Sequence, residues 1–164
     1  MLQSAAIDGL AFARNAAVLK GRLGMESLPR LAQSGCSDSV IDFVLSGEFN
    51  ERGKPGLGLA LAGSVRLQCQ RCLGSLELPL QLEAHLEFAS SEAEIMAATD
   101  DDVERVVASR EMRVADLVED EVLLALPMVP KHEQCGTAAG SGAQAKASAF
   151  QALAALRKRS FSRG

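Results

Sequence analysis

The strict alternation of apolar and polar residues between Leu76 and Phe88 constrains the fold more than any other feature of the sequence. Every second position is apolar across these thirteen residues, and most of the positions between them are polar, including Glu77, Gln81 and Glu83. A period of two is typical of a β-strand with one buried face and one wet face. Strands of this kind belong to antiparallel sheets, because parallel strands are normally covered on both faces.

Upstream stretches complete the predicted sheet. Residues 40–49 are rich in β-branched and aromatic side chains, and residues 50–56 form a connection rich in turn residues. Two further short strands are predicted at 57–61 and 64–68. Together with the alternating stretch they define an antiparallel sheet over about residues 39–88.

Helical periodicity appears on both sides of this sheet. Residues 114–126 carry an apolar stripe with a period near 3.6, and Pro127 ends it. Near the N-terminus, Asp8 is placed to cap a short helix over residues 9–15, and a second helix is predicted near 26–33 with Pro29 in its first turn. The fold class predicted is therefore α+β, with the sheet packed by helices near the N-terminus and at 114–126.

The predicted domain organisation is simple. Residues 1–135 form a single α+β domain, in which the acidic stretch 90–102 is predicted to be a solvated loop. Residues 136–147 are rich in Gly, Ala and Ser and predict a flexible linker. The rest of the segment 136–164 predicts an amphipathic tail with a basic end.

Four residues suggest a metal site. Cys69 and Cys72 have C-x-x-C spacing, and His132 and Cys135 repeat the gap of two residues further along the chain. Brought together they would form a Cys₃His set of the kind that holds structural Zn²⁺. Two alternatives stay open at this point: inert thiols without any cofactor, and a dithiol redox pair formed by Cys69 and Cys72.

The charge is unevenly distributed along the chain. The formal net charge is −4, but residues 77–135 carry fifteen acidic and four basic side chains, and residues 136–164 carry five basic side chains and no acidic one. A basic tail of this kind is a candidate contact for phosphate or for an acidic surface. Arg71 and three tail residues, Arg157, Lys158 and Arg159, are the predicted nucleic-acid contacts.

Several function classes find no support in the sequence. It contains no nucleophile motif, no Gly-rich phosphate loop and no H-E-x-x-H pair, so no catalytic residue is predicted. No apolar run approaches the roughly 18 residues of a membrane span, and the N-terminal residues have no signal-peptide pattern. The expectation is a cytoplasmic protein that is not an enzyme, with no membrane partner and no small-molecule substrate.

Two stretches together resemble a known family. Cys69-Gln70-Arg71-Cys72 follows a predicted strand, and the helix 114–126, with the segment Glu119-Asp120-Glu121, leads through Pro127 and Pro130 into His132 and Cys135. In this combination, and in the tail over residues 149–158, the chain resembles the bacterial large ribosomal RNA subunit accumulation proteins of the YceD type.

The resemblance implies a cytoplasmic factor that supports the synthesis, processing or stability of 23S rRNA. Its partner would be 23S rRNA or a precursor of the large subunit, contacted directly or through ribosomal proteins. The resemblance implies no catalytic residues. The alternatives are a zinc-stabilised protein-interaction module and a C-x-x-C thiol-disulfide enzyme.

Overall fold

The structure is a computed structural model that describes residues 5–99 and 103–135. Its centre is a five-stranded sheet in the order β2-β3-β4-β5-β6. The strands are β2 (Val18–Gly24), β3 (Asp38–Phe49), β4 (Pro55–Gln68), β5 (Ser75–Ala89) and β6 (Glu104–Val107). A separate two-stranded sheet pairs β1 (Ala6–Ile7) with β7 (Met112–Arg113).

The helices are short, apart from the last. They are α1 (Gly9–Arg14), α2 (Pro29–Gln33), α3 (Glu92–Ala97) and α4 (Val114–Ala125), and a 3₁₀ turn, Met25–Ser27, precedes α2. Helix α1 packs against β3 and β4, and α4 packs against β5 and α2. The α+β fold class is confirmed. No helix among the described residues has the length and apolar character that crossing a membrane requires.

The alternating pattern becomes one continuous apolar face. Phe43 of β3, Leu61 of β4 and Leu82 of β5 lie side by side across the three strands, and equivalent rows precede and follow them. The buried members of these rows form the core with α1 and α4. The polar positions of β5, such as Glu77 and Glu83, lie on the exposed face. The register thus follows directly from the period of two.

The sheet extends beyond residues 39–88 at both edges. Strand β2 joins one edge beside β3, and β6 joins the other edge beside β5. All neighbouring strands are antiparallel except β5 and β6, which are parallel and pair only over Leu86–Ala89. The four-residue strand β6 has no local pattern that would specify its direction.

The prediction of a loop over residues 90–102 was wrong in its first half, where α3 forms. The hydroxyl of Ser91 accepts a hydrogen bond from the Glu94 N–H, and the Glu94 carboxylate in turn accepts from the N–H and the hydroxyl of Ser90. This capping arrangement stabilises the first turn of a helix. The predicted linker and basic tail, residues 136–164, lie outside the described residues.

Candidate metal centre

The turn between β4 and β5 presents the first two cysteines. Cys69 follows β4 directly and is fully buried, and Cys72 is exposed. The Cys69 carbonyl accepts a hydrogen bond from the Leu73 N–H at 2.9 Å, and the Cys69 N–H donates to the Gly74 carbonyl at 2.9 Å. Leu73 has a φ of 61°, a left-handed conformation that is unusual for a bulky residue. These bonds close a tight turn that holds both thiols on one side.

A second segment reaches this turn from the end of α4. The helix ends at Ala125 because Pro127 disfavours a helical conformation at Leu126, whose ψ is 135°. The following residues then run against the turn, where the Gln70 N–H donates to the Pro130 carbonyl at 2.8 Å. The His132 N–H donates to the Cys69 sulfur at 3.4 Å, which adds a second contact between the segment and the turn.

The hydrogen bonds of His132 select the ring nitrogen that would bind a metal. Its Nε2 lies 2.9 Å from the carbonyl oxygen of Ser75, which can only accept a hydrogen bond. Nε2 must therefore carry a proton, and in the neutral imidazole, the form that binds metals, Nδ1 then keeps its lone pair. Nδ1 faces the Cys72 sulfur at 3.4 Å. A histidine ligand normally donates its second N–H to an acceptor in this way.

The four predicted ligand residues come together. The ligand atoms of Cys69, Cys72, His132 and Cys135 all lie within 4.8 Å of one another. In tetrahedral zinc sites the bond lengths place sulfur and nitrogen about 3.5 Å apart and two sulfurs about 3.8 Å apart. The Cys72–His132 distance already matches, and the widest separation would have to shrink by about 1 Å. Three thiols and one imidazole form a donor set that suits Zn²⁺ and that could hold a metal ion.

The surroundings of the C-x-x-C pair differ from those of a reactive dithiol. Reactive pairs stand at the start of a helix, where the helix dipole lowers the thiol pKa. Here Cys69 and Cys72 lie in a turn between two strands. Cys36 lies apart from this set, and burial raises the pKa of its thiol, which keeps it protonated.

The predicted nucleic-acid contacts have different surroundings. Arg71 is exposed, and one of its guanidinium nitrogens donates to the carbonyls of His132 and Glu133 at 3.0 and 3.4 Å. It thus holds the second segment against the turn. The other three, Arg157, Lys158 and Arg159, lie outside the described residues.

Two carboxylate features were missed in the sequence analysis. Glu119 is buried and binds Arg30 and the start of α2. Glu121 contacts Glu104, and burial together with this neighbour raises its pKa to about 7. The only signal was the segment Glu119-Asp120-Glu121, whose three side chains point in different directions around α4 and serve different partners.

Comparison with known proteins shows the family of the chain. No curated protein and no solved structure is found to match the chain. A family model described as large ribosomal RNA subunit accumulation protein YceD matches residues 57–157, well over half of the sequence. The matched range begins in β4 and includes the C-x-x-C turn, α4 and the segment with His132 and Cys135. The chain therefore belongs to the YceD family of large ribosomal RNA subunit accumulation proteins.

Proposed function

We propose that this protein is a non-catalytic cytoplasmic factor that supports the accumulation of 23S rRNA and the formation of the large ribosomal subunit. The observation that carries the proposal is the family match over residues 57–157. The partner would be 23S rRNA or a large-subunit precursor, contacted directly or through ribosomal proteins. No small-molecule substrate and no membrane partner is part of the proposal.

Within this function the metal centre has a structural role. Zn²⁺ would be held by Cys69, Cys72, His132 and Cys135, and the ion would supply a fixed crosslink between the β4–β5 turn and the segment after α4. Four protein ligands leave no open position for a substrate or a water molecule, which is typical of structural rather than catalytic zinc. The support for this role is the selection of His132 Nδ1 by the Ser75 carbonyl.

Direct contact with RNA is assigned to the basic tail. Residues 77–135 carry a large excess of acidic side chains, which would repel phosphate. Residues 136–164 carry five basic side chains and no acidic one. Arg157, Lys158 and Arg159 are the proposed phosphate contacts. Arg71 is a weaker candidate, since its guanidinium already serves the carbonyls of His132 and Glu133.

Two other functions receive less support. A zinc-stabilised module that contacts only proteins would use the same four ligands, but the family match favours a role in rRNA accumulation. A thiol-disulfide enzyme would need a thiol with a pKa well below the ordinary value of about 8.5. The turn that holds Cys69 and Cys72 offers no helix N-terminus to lower it.

The ratio of 23S to 16S rRNA in cells depleted of the protein tests the proposal. We expect a selective fall in 23S rRNA that is restored by the unmodified chain. Depletion of an unrelated non-essential protein provides the control for slow growth. An unchanged ratio, with normal 23S precursor ends, would refute the proposed function.

A further inference from the structure

A groove between β6 and α4 is separate from the metal centre. Its volume is about 320 Å³. Most of its lining is apolar, and the apolar residues are Leu86, Val106, Leu117, Leu123 and Leu124. Leu86 and Leu117 are buried at its floor, whereas the side chain of Leu124 is 73% exposed at its rim. Exposed leucines beside an apolar floor are common where an apolar group of a partner binds.

Two carboxyl groups face this apolar lining. Glu104 of β6 and Glu121 of α4 contact each other, and the burial of Glu121 together with this acidic neighbour disfavours the charged state of Glu121. Over the described ranges 5–99 and 103–135, neither has a basic side chain within ion-pair distance. Two close acids in a partly buried groove would be stabilised by a cation placed between them.

The other charged side chains of the groove are already engaged. Asp120 accepts a hydrogen bond from the Arg30 guanidinium at 2.5 Å. Arg105 is almost fully buried and donates to the Glu87 carboxylate at 3.1 Å. The charge that the groove offers to a ligand is therefore the negative charge of Glu104 and Glu121.

We propose that this groove binds a basic and partly apolar segment of a partner protein, with a lysine or arginine side chain between Glu104 and Glu121 and an apolar side chain against Leu123 and Leu124. Charge complementarity selects this occupant, because the two carboxylates attract a cation and repel the phosphates of RNA. The inference deepens the proposed function and rests on it for the identity of the partner, which would be a basic protein of the large-subunit precursor.

The test uses the full chain and a short labelled peptide in which lysine alternates with leucine and alanine. A peptide with glutamate in place of lysine is the control ligand. The groove variant is the double substitution Glu104→Gln and Glu121→Gln. The matched control is Glu77→Gln with Glu83→Gln, which removes the same charge from exposed positions of β5 outside the groove.

We expect the groove variant to bind the lysine peptide about tenfold more weakly than the unmodified protein, and the control variant to bind within about twofold of it. Leu124→Ser, which changes an exposed side chain, should weaken binding about fivefold. An equal loss in both double variants would show attraction by net charge alone and overturn the proposal. The proposal would also be overturned if the unmodified protein bound the peptide only with a dissociation constant above about 1 mM.

The result is independent of the rRNA measurement. Specific peptide binding together with a normal 23S to 16S ratio in depleted cells would refute the proposed function and leave the groove as a protein-binding site. A lowered 23S to 16S ratio without peptide binding would support the proposed function and refute the binding of a basic segment in the groove. Stronger binding of an RNA fragment by the groove variant than by the control variant would confirm that Glu104 and Glu121 repel phosphate at this site.

Discussion

At the scale of single residues, Glu119 has the most consequential contacts. Its side chain is 1% exposed. One carboxylate oxygen accepts from the N–H groups of Arg30 and Leu31 at 2.6 and 2.9 Å, and the other accepts from Arg30 Nε at 2.8 Å. The residue preceding α2, Leu28, offers no capping side chain. A carboxylate from α4 therefore caps α2 from a distance of 88 positions in the chain.

Glu119→Gln should destabilise the protein by about 3 kcal/mol, because it removes a charge-assisted bond and leaves buried polar groups poorly matched. Asp120→Asn is the control. It alters the neighbouring pair to Arg30, but its side chain is 53% exposed, so less than about 1 kcal/mol is expected. Urea unfolding of both variants gives the comparison. Equal losses would contradict the assignment of Glu119 as the cap.

Glu121 should make stability depend on pH. Burial and the neighbouring Glu104 raise its pKa in the folded state to about 7, whereas the ordinary value is 4.5. A raised folded-state pKa stabilises the fold below pH 4.5, and this contribution is lost as the pH rises through 7.

Between pH 5 and pH 8, the free energy of unfolding should fall by about 2 kcal/mol more in the unmodified protein than in Glu121→Gln, after allowance for partial exposure. Chemical denaturation at both pH values measures this. A control at Glu83→Gln should keep the pH dependence of the unmodified protein. If Glu121→Gln showed the same pH dependence of the free energy of unfolding as the unmodified protein, Glu121 would not be the group responsible for it.

At the scale of elements, the β4–β5 turn depends on contacts from a distant part of the chain. Its backbone holds Leu73 at positive φ, which costs about 1 kcal/mol or more for a residue of this kind. Hydrogen bonds to Pro130 and His132 come from a segment that enters only after α4. A metal ion at this point would connect two elements that are distant in sequence.

The two histidines of the chain provide a matched test of the metal centre. We expect about one Zn²⁺ per chain in untagged protein purified without chelator, and His132→Gln should lower the affinity at least a hundredfold by removing a ligand. His85→Gln should keep the metal, because His85 is exposed and pairs with Glu48. Metal analysis after dialysis decides the matter. Less than about 0.1 Zn²⁺ per unmodified chain would refute tight binding.

Cysteine variants give a second readout of the same site. Cys72→Ala should lose the metal together with a fraction of the thermal stability, because zinc binding contributes directly to folding. Cys36→Ala removes a thiol that lies apart from the four ligands, so its metal content should stay unchanged. Loss of metal in both variants would indicate general unfolding instead of loss of a ligand.

At the scale of the whole molecule, acidic and basic side chains are concentrated in different parts of the chain. The two proposed contacts, with a basic protein segment and with RNA, belong to these different parts. The acidic portion, residues 77–135, includes the groove between β6 and α4, and the basic tail follows it. A basic protein segment and an RNA phosphate would thus be bound by different parts of one chain. Such a division allows a small protein to hold both components of a precursor particle.

Neutralising Arg157, Lys158 and Arg159 together should weaken binding to a 23S rRNA fragment and reduce its salt dependence. About one unit of slope in the logarithmic salt plot should be lost for each phosphate contact removed. The control neutralises three exposed basic residues of the described domain: Arg14, Lys20 and Arg110. An unchanged slope in the tail variant would remove the tail from the proposed RNA contact.

Local sequence patterns determined a large part of the fold. The alternation from Leu76 to Phe88 specified the faces of β5, because neighbouring side chains on a strand must point in opposite directions. Asp8 caps α1 as predicted, with its carboxylate accepting from the Ala11 N–H at 2.9 Å. The end of α4 before Pro127 followed from the conformation that a proline imposes on the preceding residue.

Other features depended on contacts between distant parts of the chain. The parallel pairing of β6 with β5, the capping of α2 by Glu119 and the contact between Glu104 and Glu121 have no local signature. The types and spacing of Cys69, Cys72, His132 and Cys135 suggested a ligand set, but spacing says nothing about whether two segments 60 positions apart meet. Backbone conformation is set by neighbours, whereas the meeting of distant groups is set by how the apolar face is covered. Only the tertiary structure decides that.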